Sequence, residues 1–113
     1  MPRRFAGVLG LRSEKIAEYK AIHAAVWPSI LLNLRECNIQ NYSIFLRQLP
    51  DGKHYLFSYM EYTGTDLAGD MRKMSESAET KRWWAVCGPC QEPFADRAKG
   101  EWWASMEEVF HQE

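Results

Sequence analysis

The chain has 113 residues, 46% of them hydrophobic and 26% charged, with a formal net charge of −1. That composition fits one compact domain with a real core and excludes a disordered chain, and its interspersed acidic and basic residues carry no electrostatic footprint for nucleic acid. Nothing approaches membrane-spanning length, the stretch 5–11 behind Arg3 and Arg4 is too short and glycine-interrupted for a signal h-region, and three cysteines make no disulfide framework, so the expectation is a cytoplasmic protein without a membrane partner.

Residues 4–11 predict a first strand, with Phe5, Gly7, Leu9 and Leu11 on one face and Ala6, Val8 and Gly10 on the other. Apolar residues on both sides predict an interior strand, covered by helices on one face and by helices or a partner's sheet on the other. A helix is expected from Ser13, a good N-cap with Glu14 in the first turn, and it places Ile16, Tyr19, His23, Val26 and Ile30 on one stripe. Tyr19 and His23 interrupt that apolar stripe four residues apart, so they stack one turn above the other within reach of the same small ligand. A lone pair of this kind is more often an amphipathic core pair whose polar atoms meet backbone. Pro28 lacks the N–H that would bond to the Ala24 carbonyl, and its ring crowds that carbonyl, so the helix should kink or restart around Val26 and Trp27.

Residues 42–48 predict a second strand, alternating Tyr42, Ile44 and Leu46 against Ser43, Phe45 and Arg47. Leu49, Pro50, Asp51, Gly52 and Lys53 read as a hairpin connection, with proline pre-set for the second turn position. The third strand, 54–62, places Tyr55, Phe57 and Tyr59 opposite Leu56, Ser58 and Met60. Thr65 or Asp66 then caps a helix carrying Leu67, Met71 and Met74, Ser77 restarts it, and Gly88 and Pro89 stop it. Residues 91–100 show no periodicity and read as a surface loop, residues 102–105 resist assignment, and residues 107–111 read as a short final strand. The order is β-α-β-β-α-β, the ferredoxin-like α+β arrangement of one antiparallel sheet backed by helices. Such a sheet leaves one face open, which predicts a homodimer over that face, with Phe5, Leu9, Phe57 and Tyr59 as candidates.

Cys87, Gly88, Pro89 and Cys90 spell a thioredoxin-type C-x-x-C. That chemistry needs the first cysteine at a helix N-terminus, whereas the helical pattern runs into this motif and puts it at a C-terminus, where the dipole opposes a thiolate. A zinc reading needs further ligands, and Cys37, His23, His54 and His111 show no paired spacing. No metal site is expected. Four of the five tryptophans form the pairs Trp83/Trp84 and Trp102/Trp103. Neighbouring residues point in different directions, so one ring of each pair is expected to be free for a ligand, a partner subunit or a lid.

The run Glu18-Tyr19-x-x-x-His23-x-x-x-Trp27-Pro28, then Asn41-Tyr42-Ser43-Ile44, Arg82-Trp83-Trp84 and Glu108-Val109-Phe110-His111, resembles the L-rhamnose mutarotase family in content and order. The resemblance implies one mutarotase-like domain over residues 1–113, a dimeric ferredoxin-like protein that interconverts the α and β anomers of a 6-deoxy-hexose without metal or organic cofactor. It implies His23 as general acid and Tyr19, Tyr42, Trp83 and Trp84 at sugar-contacting positions. The chain departs from the family after the first tryptophan pair, where an Asn-Pro-rich segment is replaced by residues 87–103. That segment borders the family's site, which leaves L-rhamnose as the first expected sugar and L-fucose as the second.

The chemistry of the residues is compatible with this implication. Mutarotation removes a proton from the anomeric hydroxyl and delivers one to the ring oxygen; histidine, with an ordinary pKa of about 6.5, holds both forms near neutrality. Tyrosine hydroxyls orient sugar oxygens, and tryptophan faces pack on the C–H face of a pyranose. Two other classes stay open on fold alone, a cofactor-free monooxygenase and a non-catalytic sugar-binding protein.

Overall fold

The computed structural model describes residues 2–113. Strand β1, Arg3–Leu11, is apolar on both sides and lies inside the sheet: it pairs antiparallel with β3, His54–Tyr62, over its whole length. On its other edge it pairs with two short strands, β4 (Gln91–Glu92) near its end and β5 (Ala104–Met106) near its middle. Strand β2, Ile39–Gln48, completes the sheet on the far side of β3, giving the order β2-β3-β1-β4 with every pairing antiparallel. The β2–β3 hairpin turns as expected. Gly52 N–H donates to the Leu49 carbonyl at 2.8 Å, and Gly52 takes φ 83°, where a side chain is disfavoured.

The helices pack on one face. Helix α1 (Ile16–Ala24) and α2 (Pro28–Glu36) are separate pieces, with Pro28 at the first turn of the second, the position where its missing N–H costs nothing. The start differs from expectation: Ser13–Lys15 forms a single 3-10 turn, and no Ser13 side-chain cap is made. Helix α3 (Leu67–Glu76) is capped by Asp66, whose Oδ1 accepts from Gly69 N–H at 3.0 Å, and α4 (Ala78–Cys87) by Ser77, whose Oγ accepts from Thr80 N–H at 3.4 Å. Gly88 does not end α4 in the left-handed conformation; it stays helical, and the chain tightens into a 3-10 turn, Gly88–Cys90. The core joins Leu9, Leu11 and Leu56 from the sheet to Tyr19, Ile30, Trp83, Cys87 and Cys90 from the helical layer.

Register decides which face is covered. Leu9 stands opposite Leu56, both buried under the helices, whereas Val8 stands opposite Phe57, which in turn faces Phe45 of β2. Phe5 and Leu9 therefore belong to the helix side and cannot form an open-face contact, while Phe57 and Tyr59 lie on the other side. No helix among the described residues covers that second face, and Phe45 there is 63% exposed.

The last strand is also displaced. Residues 107–111 are not a strand; β5 lies earlier, at Ala104–Met106, and residues 91 and 92, expected in a loop, form β4. Beyond Met106 the chain continues beside β1 only through its side chains, the Arg4 guanidinium pairing with Glu108 at 2.6 Å, and Val109 and Phe110 are exposed.

Candidate active site

Helical spacing brings Tyr19 and His23 together as expected: their rings stack at 4.0 Å with 25° between planes. His23 Nδ1 lies 2.9 Å from the Tyr19 carbonyl, and since a carbonyl only accepts, Nδ1 carries the proton. Nε2 is left as the exchangeable nitrogen, with no protein partner among the described residues. Burial lowers the His23 pKa below its ordinary value, and the backbone bond to Tyr19 opposes this only in part. Neutral imidazole with a free Nε2 lone pair is thus the resting form near neutrality.

Trp83 closes the other side. Its ring meets His23 edge-on at 5.3 Å and Trp27 at 5.0 Å. Helix α4 is held to α2 by Asn33 Nδ2 donating to Thr80 Oγ1 at 2.5 Å and by Ser29 Oγ donating to Glu79 at 2.9 Å, which sets the depth of Trp83. Trp84 does not join this cluster. Successive helical residues diverge by about 100°, and Trp84 is 49% exposed where Trp83 is 9% exposed.

Tyr42 reaches the helix side because of a bulge. The pairing runs Gln40 to Glu61 and then Ser43 to Tyr59, so Asn41 and Tyr42 share one partner position, with Asn41 at φ 48°. An unbroken ladder would set Tyr42 opposite Tyr59, on the uncovered face; the extra residue turns it to the side of Ile44 and Leu46. Glu61 holds the bulge, accepting from Gln40, Asn41 and Tyr59, each at 2.8 Å. Tyr42 remains 39% exposed, yet its hydroxyl sits deep enough for desolvation to push it up to about 12, with the Cys87 sulfur adding to the shift. Tyr19 is raised further, first by burial and with the Tyr42 oxygen contributing, which makes the two phenols neighbours. Both stay protonated at physiological pH.

A cleft of about 320 Å³ opens beside this group, lined by Tyr19, Lys20 and His23 from α1 and by Ile44, Leu46 and Leu56 from the sheet. It is mostly apolar with a few polar atoms at one wall, the make-up of a small-molecule site. A second cleft of about 440 Å³ lies beside the β2–β3 turn, away from the stacked rings, and is lined in part by His54, whose Nδ1 has no hydrogen-bond partner among the described residues.

Sequence reasoning missed Gln91. Its Nε2 donates to Tyr19 Oη at 3.1 Å and its Oε1 accepts from the Trp102 indole at 2.8 Å, so it ties the second tryptophan pair to the first helix. Trp103 packs on the core, its Cβ close enough to Gly7 that a side chain there would collide at 2.9 Å. Cys87 and Cys90 are free, buried thiols; burial raises both, Cys87 to about 12, the opposite of a reactive thiolate.

The model of a protein family described as L-rhamnose mutarotase matches residues 4–112. An L-rhamnose mutarotase of Lactiplantibacillus plantarum is 31% identical over 111 residues, covering 96% of this chain and 96% of that protein. One of Bacillus subtilis is 30% identical over 94 residues, covering 83% and 85%. The crystal structure of an L-rhamnose mutarotase from Formosa agariphila, 22% identical, superposes with a TM-score of 0.72 over 98% of this chain and 99% of that one, which shows a shared α+β fold. With a family match from near one end of the sequence to the other and relatives alike over most of their length, the chain belongs to the L-rhamnose mutarotase family, a family of isomerases.

Proposed function

We propose that this protein interconverts the α and β anomers of L-rhamnose by acid/base ring opening, with L-fucose as a second substrate. One observation carries the mechanism: His23 lines the cleft with Nδ1 committed to backbone and Nε2 free. In the opening direction a base takes the anomeric hydroxyl proton while the minor imidazolium form of His23, which has picked up a solvent proton at Nε2, gives that proton to the ring oxygen. The bond between the anomeric carbon and the ring oxygen breaks, and the electron pair of the anomeric O–H becomes the aldehyde carbonyl. Rotation about the adjacent carbon–carbon bond and reclosure return each proton, so no net atom is gained or lost. Acid/base help of this kind contributes about 10²- to 10⁴-fold, enough for a reaction that already runs in water.

In the same reading Tyr19 and Tyr42 hold sugar oxygens as neutral donors, and Trp83 supports His23 and offers an apolar edge to the pyranose. Trp84, which the family resemblance places at the sugar, contributes from the rim at most. The sheet order and the helices on one face support a ferredoxin-like assignment, and the uncovered apolar face supports a homodimer. Saturation transfer between the α and β resonances of L-rhamnose and L-fucose tests the reading. Catalysis accelerates transfer in at least L-rhamnose, whereas a pure binding protein shifts the sugar resonances and leaves the exchange rate at its value in water.

A further inference from the structure

Trp102 fixes the sense of a hydrogen-bond chain that ends at Tyr19, a residue of the cleft wall. An indole N–H only donates, so the Gln91 atom 2.8 Å from Trp102 Nε1 is the amide oxygen. The amide nitrogen then faces Tyr19 Oη at 3.1 Å and donates to it. The two ends of a glutamine amide have nearly the same shape and are told apart by their partners; here the indole settles the matter. Gln91 is 7% exposed and pairs with Leu11 in β4, so water competes little for its amide. Because the Tyr19 oxygen accepts from Gln91, its own proton has to point elsewhere, and no acceptor among the described residues takes it. Tyr19 lines the cleft.

We propose that Gln91 is a positioning residue that aims the Tyr19 O–H into the cleft as a fixed donor to a ligand oxygen, with Trp102 setting the direction of the chain. The inference rests on the proposed function only in making that oxygen a sugar's. It gives the segment that departs from the family pattern a role in orienting substrate, exercised through Tyr19 and without contact between Trp102 and the sugar.

The test compares Gln91→Leu and Gln91→Glu, each in the wild-type and the Tyr19→Phe background. Above neutral pH the carboxylate introduced by Gln91→Glu accepts from both neighbours, so it draws the Tyr19 proton back from the cleft, while Gln91→Leu merely frees it. The expected loss in kcat/KM for L-rhamnose anomer exchange is about tenfold for Gln91→Glu and a few-fold for Gln91→Leu, the scale of one hydrogen bond reversed or released. Neither change adds to the loss caused by Tyr19→Phe. A rate within twofold of wild type for Gln91→Glu, or an equal loss in both backgrounds, overturns the proposal; the latter marks Gln91 as structural only. The Trp102 indole ¹H–¹⁵N resonance reports separately on the chain: Gln91→Leu shifts it, and an unmoved resonance rejects the alignment. Should the wild-type protein fail to accelerate exchange at all, the catalytic reading falls, and the indole resonance together with L-rhamnose affinity in the same variants still decides the role of Gln91.

Discussion

At the scale of the residue, His23 is the group whose replacement separates chemistry from folding. His23→Asn keeps a polar side chain of smaller size against Tyr19 and Trp83, so the fold should persist while anomer exchange drops by about 10²- to 10⁴-fold, read by saturation transfer. A variant that keeps near-native exchange would remove His23 from the mechanism. Burial depresses the His23 pKa, so its neutral form is favoured in the folded state. The sign follows from linkage: between the depressed value and the unfolded value of about 6.5 the unfolded chain binds more protons, and stability is lost as pH falls through that window. His23→Gln should flatten that part of a urea-denaturation profile against pH. Trp83 and Trp84 divide differently. Trp83→Ala empties a buried site packed on His23 and Trp27 and should cost about 3–5 kcal/mol, whereas Trp84→Ala should change the melting temperature little. Equal losses would contradict the packing. The Tyr19–His23 pair was legible in the sequence because a 3.6-residue period puts i and i+4 on one face regardless of what covers them. Gln91 was not: a two-residue strand has no period, and its role depends on an indole 11 positions away.

At the scale of the element, the bulge in β2 is the device that turns Tyr42 to the helix side, next to Tyr19. Asn41 tolerates φ 48° because its short polar side chain bonds locally, here to Glu61. Asn41→Gly keeps that backbone and should leave the melting temperature nearly unchanged, while Asn41→Val strains it by about 1–3 kcal/mol and should weaken L-rhamnose binding through Tyr42. Binding that survives Asn41→Val intact would show that the bulge does not place Tyr42. Strand alternation correctly grouped Tyr42 with Ile44 and Leu46, yet it says nothing of register, and register is what sends Leu9 under the helices and Phe57 to the open face. For the same reason Phe5 and Leu9 were misplaced. The break at Pro28 was legible from covalent chemistry alone, since a missing N–H is a local fact. The position of the last strand was not, because Ala104–Met106 is recruited by the free edge of β1 and residues 107–111 find no backbone partner there.

At the scale of the whole molecule, the sheet is finished on one side only. Helices cover Leu9, Leu11 and Leu56, and the reverse side shows Val8, Phe45 and Phe57 in one row across three strands. A second copy laid over that row would remove it from water, so light scattering at micromolar concentration should give twice the chain mass, and Phe45→Asp should return the mass of one chain; a wild-type monomer would refute the arrangement. Under this proposal the uncovered face has a consequence for heating experiments. Two chains that share a surface unfold against mass action, so the melting temperature should climb with protein concentration and lose that dependence in Phe45→Asp. The stability of such a chain is then a property of how much of it is present.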